Sequence, residues 1–241
     1  MKESPIEIVC HRGANEYAPE NTYASSQICI DWGIDYLEID INTSKDGTPY
    51  LFHGPDLYRT TGADGRINEW FDKDLDQLDC GSWFDPTFKD ERLPKLEPFL
   101  EWIDHRIKLF FDVKWSNLKQ LREIVYRYGI EDECFFWFGR EKFARELVQL
   151  DDALMLKINV RNPVDVVKAR DEYKADIVEF VLTDASSELI KVCRELEVKS
   201  MILHTENDAE AFQRIINSGV DMVNLDHANH FLSVFHETDG N

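Results

Sequence analysis

The feature that most constrains this chain is a rhythm in which short β-rich runs alternate with helix-patterned segments from one end to the other. The runs are Ile6–Cys10, Tyr36–Ile41, Lys108–Val113, Glu133–Phe138, Leu154–Val160, Asp176–Leu182, Lys199–His204 and Asp221–Leu225. Between them lie helix signals: Asn21-Thr22 before an apolar-periodic stretch, Pro94 ahead of Leu96–Ile103, and Ser116 ahead of Leu118–Tyr128. Further on come Arg140–Leu150, Asn162-Pro163 opening Val164–Tyr173, Ser186–Glu195, and Asn207–Ser218 closed by Gly219. Asn, Ser or Thr at a helix start and Gly at its end satisfy the backbone groups a helix leaves unpaired. Strands separated by helices are free to run parallel, so the pattern predicts a parallel α/β sheet. With 241 residues, the length favours closure into a (β/α)8 TIM barrel over an open doubly wound sheet. One domain over residues 1–241 is expected.

The rhythm breaks between Thr43 and Pro94, a stretch too long for a simple βα loop. It holds Tyr50-Leu51-Phe52-His53 and then a polar, aromatic-bearing run to Trp83-Phe84. Long excursions inside a barrel usually carry structure or function of their own. The expectation is a small insertion after the second strand, at about 54–93, covering one end of the barrel.

Charge narrows the function. Asp and Glu number 47 against 27 Lys and Arg, for a net charge of -20. That field repels the phosphate backbone of a nucleic acid, which is therefore excluded as a partner. It also repels small anions, so any anion site must be built locally from a cation or a few basic side chains. No window approaches the roughly 18 apolar residues that a membrane span needs. Met1-Lys2-Glu3-Ser4-Pro5 lacks the basic start and apolar stretch of a secretory leader. A cytoplasmic protein is expected, although an already removed leader is compatible with the same start. Five widely spaced cysteines (Cys10, Cys29, Cys80, Cys134, Cys193) form no paired metal motif and read as reduced, structural thiols.

Barrel active sites lie at the C-terminal ends of the strands. The first run ends in His11-Arg12-Gly13, and the second carries Glu38 and Asp40 on one face with apolar residues on the other. Two carboxylates at i, i+2 on a strand repel unless one takes a proton or a cation sits between them. Asp112 and Lys114 share a face of the third run. Oxygen ligands of this kind favour Mg2+ or Ca2+. The same residues also admit plainer readings: a solvated strand face for Glu38 and Asp40, and a structural ion pair for Asp112 with Lys114.

Taken together, His11-Arg12-Gly13, Pro19-Glu20-Asn21-Thr22, Glu38-x-Asp40, Lys45-Asp46-Gly47-x-Pro49 and His53 resemble the glycerophosphodiester phosphodiesterase family. So do Arg59-Thr60-Thr61-Gly62, Gly81-Ser82-Trp83-Phe84 and Leu93-Pro94-x-Leu96. Past residue 100 the likeness thins to Asp112-x-Lys114, Gly219-Val220-Asp221 and Asp226. The resemblance implies a metal-dependent barrel that cuts glycerophosphodiesters into glycerol 3-phosphate and an alcohol. It implies His11 and His53 as the general acid/base pair, and Arg12 and Lys114 as phosphate ligands. Glu38, Asp40 and Asp112 are the implied ligands of one Mg2+ or Ca2+.

Four positions depart from the family pattern. The second histidine is followed by Gly54-Pro55-Asp56 rather than directly by Asp, and the third metal ligand is Asp112 rather than Glu. His204 stands at a late aromatic position often held by Trp, and is expected to bind substrate in the part of the pocket facing the alcohol. The usual Thr-Asp-x-Pro ending reads Leu225-Asp226-His227-Ala228. Two rival functions are a phospholipase D-like lyase acting on lysolipids or sphingolipids, and a barrel that only binds phosphate. The first calls for an apolar docking surface, and the second for loss of one of His11, His53, Glu38 or Asp40. Among the remaining histidines, His105 is read as solvated, His227 and His230 as lacking a third metal ligand, and His236 as entering a frayed tail, Glu237–Asn241. Phe135-Phe136-Trp137-Phe138 reads most simply as a buried strand, with Trp137 as a pocket wall the lesser alternative.

Overall fold

Eight parallel strands close on themselves: β1 (Glu7–Cys10), β2 (Tyr36–Thr43), β4 (Lys108–Val113), β5 (Cys134–Phe138), β6 (Met155–Asn159), β7 (Ile177–Val181), β8 (Lys199–His204) and β9 (Met222–Leu225). Each pairs in parallel with its neighbour, and β1 completes the circle by pairing with both β9 and β2. The computed structural model describes residues 6–239. The leader reading of Met1–Pro5 and the last two residues of the expected tail lie outside the described residues.

The connecting helices are α1 (Tyr23–Asp31), α4 (Leu96–Ile103), α5 (Leu118–Tyr128), α6 (Glu141–Leu150), α7 (Pro163–Tyr173), α8 (Ser187–Glu195), α9 (Ala209–Ser218) and α10 (Ala228–Asp239). Their starts follow capping chemistry. Thr22 and Ser25 cap α1 reciprocally, Asn162 caps α7 with Pro163 at its first position, and Ser186 caps α8. Two caps fall one residue from expectation. Asn117 rather than Ser116 accepts from the Lys119 and Gln120 amides, and Asp208 rather than Asn207 starts α9. α10 continues to Asp239, so the tail expected to fray from Glu237 begins within the last turn of this helix.

The barrel interior is layered. One apolar side chain from each strand forms the floor: Val9, Tyr36, Phe110, Phe135, Met155, Ile177, Met201 and Met222. Phe110 and Phe135 stack there at 4.5 Å. Because side chains alternate between faces, the residue two places further along each strand also points inward. That second layer is mostly polar, and it includes His11, Glu38 and Asp112. The apolar floor thus seals the bottom, while titratable groups collect toward the mouth. All five cysteines are free and buried.

The departure from the rhythm begins with β3 (Pro49–Leu51), which pairs antiparallel with the end of β2. Two short helices follow, α2 (Tyr58–Thr61) and α3 (Asp72–Leu75). Tyr50, Phe52, Leu57, Ile67, Leu75, Cys80 and Leu93 form a separate small core. Polar ties anchor it: Tyr50 donates to Asp76 at 2.8 Å, and Lys95 reaches the same carboxylate at 2.7 Å. Gly81 is required by close approach, because a Cβ there would meet the Phe88 carbonyl oxygen at 2.0 Å. Gly81→Ala is therefore expected to destabilise the protein by about 1–3 kcal/mol, the usual cost of overpacking. Thermal unfolding reads this as a midpoint lowered by several degrees. An unchanged midpoint would mean that this segment shifts freely.

Candidate active site

His11, Arg12 and Gly13 form a turn at the top of β1 that ordinary backbone would not hold. Arg12 has φ 59° and Gly13 has φ 82°, and a Cβ on Gly13 would meet the Ser25 hydroxyl at 2.5 Å. The left-handed turn aims the Arg12 amide into the barrel, where it donates to Glu38 Oε2 at 2.6 Å. Asn21, also left-handed at φ 56°, donates through its amide to Asp40 Oδ2 at 2.7 Å and accepts from the Asp40 backbone N–H at 3.0 Å. The first loop thus holds both acidic residues of β2 in place.

Glu38, Asp40 and Asp112 are buried, and they bring ligand oxygens to within 4.8 Å of one another. Strand pairing explains the meeting, since Asp40 and Asp112 are register partners across β2 and β4. The solvated-face reading of Glu38 and Asp40 is thereby set aside. Lys114 bridges Asp40, at 2.9 Å from Oδ1, and Asp112. Glu38 Oε1 and Asp112 Oδ1 are buried without a hydrogen-bond partner. Burial, reinforced by Asp40, pushes Glu38 up to about 8 and Asp112 up to about 6. Asp40 goes the other way: burial would raise it, but Lys114, His53 and Arg12 hold it below the usual carboxylate range. Orphaned carboxylate oxygens converging in a buried site suit a hard divalent cation, and this triad can hold one.

The two histidines differ in their proton bias. His11 Nδ1 lies 2.7 Å from Asp226 Oδ1, which also accepts from Asn15 Nδ2 at 2.7 Å. Burial disfavours the imidazolium of His11, but the hydrogen bond to Asp226 and the charge of Glu38 outweigh it and raise His11 to about 9. His53 follows β3 in a turn pinned by Asn42, whose Nδ2 donates to the Phe52 and Gly54 carbonyls at 3.2 and 2.9 Å. Burial, with the nearby cations Arg12 and Lys114, outweighs Asp40 and lowers His53 to about 4. Arg12 Nε lies 3.5 Å from Asp40 Oδ2 and its Nη1 3.6 Å from Glu20 Oε2. Glu20 in turn takes Arg59 of the insert as a fork, with one bond at 2.9 Å.

His11, Arg12, Glu38, Asp40, His53, Asp112 and Lys114 therefore meet at one end of the barrel. His204 does not join them. Met201 of β8 belongs to the barrel floor and Leu203 lines the cleft at the mouth, so His204 faces the helices, where its ring meets Phe212 edge-on at 5.7 Å. Asp56 is spent on the insert, accepting from the Tyr58 amide at 2.8 Å. His105 is exposed but pairs with Glu133 at 2.8 Å, and His227 lies 2.6 Å from Glu16.

Several residues at this mouth were given no role, or only a lesser one, in the linear reading. Asp226 orients His11, and its place one residue past β9, in step with Met222 and Asn224, is the available clue. Lys157 and Glu179 pair at 2.5 Å in the lumen. Trp137 is a wall of the mouth rather than part of a sealed strand. Its ring lies 5.5 Å from Lys114 Nζ and 4.8 Å from Lys157 Nζ, and it lines a cleft of ≈ 660 Å³.

The sequence model of the Glycerophosphoryl diester phosphodiesterase family matches residues 11–140, the stretch holding His11, Arg12, Glu38, Asp40, His53, Asp112 and Lys114 but not Asp226. The Bacillus subtilis protein YhdW is 36% identical over 137 residues, 57% of this chain and 53% of that one, so the match spans about half of that relative. The glycerophosphodiester phosphodiesterase of Caldanaerobacter subterraneus is 24% identical over 230 residues, 91% of this chain and 93% of its own. Among solved structures, the glycerophosphodiester phosphodiesterase of Agrobacterium tumefaciens superposes with a TM-score of 0.89 at 27% identity, covering 95% of this chain and 100% of that one. An Oleispira antarctica phosphodiesterase in complex with the product sn-glycerol-3-phosphate superposes at 0.87 and 25% identity, covering 96% and 97%.

Proposed function

The chain belongs to the glycerophosphoryl diester phosphodiesterase family, and from that premise we propose that it hydrolyses glycerophosphodiesters to sn-glycerol 3-phosphate and an alcohol, using His11 and His53 as acid and base. The observation that carries this reading is the convergence at the barrel mouth of two histidines, one of them held by Asp226, with three buried carboxylates whose oxygens are left without partners. Glu38, Asp40 and Asp112 would hold the cation, Mg2+ or Ca2+, whose charge would offset that of the phosphoryl oxygens. The guanidinium of Arg12 and the ammonium of Lys114 bind and orient the phosphodiester. His53, lowered by burial and its cationic neighbours, takes a proton from the attacking water. His11, with Nδ1 committed to Asp226, gives the proton on Nε2 to the departing alkoxide. Water thus adds across the P–O bond, its hydroxyl going to phosphorus and its proton to the alcohol. No helix in the described residues is long and apolar enough to cross a membrane, and the substrate is a small molecule.

The phosphate assignment has its own test. Because the overall charge opposes anions, Arg12→Ala is expected to raise KM roughly 10–100-fold, the range for losing a hydrogen bond to a charged group. Lys191→Ala, which removes an exposed ammonium paired only along its own helix, should leave KM unchanged. Steady-state kinetics on glycerophosphocholine decides, and equal effects from both variants would remove Arg12 as a focused phosphate ligand.

A further inference from the structure

The barrel wall parts between β5 and β6. Register partners there stop at Phe136 and Leu156, whereas β4 and β5 stay paired as far as Val113 and Phe138. Past Leu156, β6 keeps its pairing with β7 alone, through Lys157, Ile158 and Asn159. The effect shows behind the strands, in the layer between sheet and helices. Phe136 and Phe138 of β5, Leu156 of β6, and Val178 and Phe180 of β7 face that layer and are buried. Ile158 faces it too and is only half-buried. It looks into the cleft of ≈ 660 Å³, to which α6 and α7 contribute small residues, Ala144 and Ala169. That volume lies within the range of small-molecule sites, about 300–1,000 Å³. None of the clustered catalytic residues lines it, so the cleft is separate from the site above.

Its two ends differ in chemistry. The lining residues that are buried are apolar on the helix side: Phe138, Phe180, Ala144 and Ala169. Arg161 and Lys168 also line it, but both are exposed and so mark its opening. Neither side chain has an ion-pair partner among the described residues. The nearby acids are already engaged: Glu141 accepts from the Tyr173 hydroxyl at 2.6 Å, and Asp165 from the Arg161 backbone N–H at 3.0 Å. Their charge remains, so the opening suits a singly charged head better than a dianionic phosphate.

We propose that this cleft binds a long-chain carboxylate, with the alkyl chain against Phe138, Ile158 and the two alanines and the head held by Arg161 and Lys168. Burial of the chain supplies affinity in proportion to the apolar surface removed from water. The two cations set the direction of entry, because they replace the water that the carboxylate gives up at an apolar opening. This site goes beyond the hydrolysis and does not rest on it.

Calorimetric titration of laurate, below its micelle concentration, into the wild-type protein tests the proposal. The expected result is saturable one-to-one binding, at least roughly ten-fold tighter than that of octanoate, whose chain is four methylenes shorter. Arg161→Ala combined with Lys168→Ala should weaken laurate roughly 10–100-fold, the range for losing bonds to charged groups. Ala169→Phe, which fills the cleft from α7, should abolish binding. Because Arg161 and Lys168 are exposed, the double variant decides the matter even where Ala169→Phe does not fold. Dodecyltrimethylammonium, a chain of the same length with a cationic head, should bind no more weakly to the double variant than to the wild type. An equal fall for both amphiphiles would trace the effect to lost packing and overturn the carboxylate assignment. No saturable laurate binding, affinity indifferent to chain length, or affinity unchanged in the double variant would overturn the site itself.

Discussion

Replacing His53 with alanine is expected to lower turnover on a glycerophosphodiester by roughly 10²–10⁴, the usual worth of a general acid or base, while leaving the fold intact. Among the described residues His53 makes no hydrogen bond on which the insert depends; Asn42 pins the turn around it. The same account fixes the pH profile. A base lowered to about 4 is ready above that pH, and an acid raised to about 9 keeps its proton below that pH. Activity should therefore rise through the lower limb, hold a plateau, and fall through the upper one. Asp226→Asn removes the carboxylate that lifts His11, so the upper limb should move to lower pH while the lower limb stays. A His53→Ala enzyme with near-normal turnover, or an upper limb unmoved in Asp226→Asn, would remove these roles.

Asp112 carries the second large expectation. Its side chain is one methylene shorter than the Glu usual at this position in the family, and one of its oxygens faces Lys114 while the other is unpartnered. Asp112→Asn should weaken affinity for Mg2+ or Ca2+ by at least the roughly 10–100-fold that loss of an outer-shell partner costs. Asp112→Glu, which keeps the charge and lengthens the reach, should retain binding. Calorimetric titration of each metal into both variants measures this. Unchanged affinity in Asp112→Asn would reduce Asp112 to a structural partner of Lys114. Asp56 would not then take its place, because it serves the start of α2.

Much of this was legible in the linear chain, and the reason is local. The alternation of β-runs with capped helices sets a parallel barrel, and Glu38 with Asp40, or Asp112 with Lys114, share a face by strand periodicity alone. What stayed hidden depends on how distant strands align. Lys157, Glu179 and Asn224 come from three strands, and each alone looks like a polar interruption in an apolar run. Only the register of β6, β7 and β9 against the apolar floor shows that all three point inward. His204 shows the reverse failure. Its place at the end of β8 was readable, but a strand inverts its faces at every residue, and Met201 fixes Leu203 rather than His204 toward the lumen. Histidine proton bias was equally out of reach, since Asp226 lies 215 positions from His11.

The central claim is metal-dependent release of sn-glycerol 3-phosphate by this chain, and one assay tests it most directly. Protein stripped with EDTA is incubated with glycerophosphocholine, alone and with added Mg2+ or Ca2+, and sn-glycerol 3-phosphate is measured by an enzyme-coupled readout. The account predicts no product from the stripped protein and restored product when a divalent cation is returned. Folded protein that releases no sn-glycerol 3-phosphate with either cation, or that releases it equally after stripping, would contradict the account.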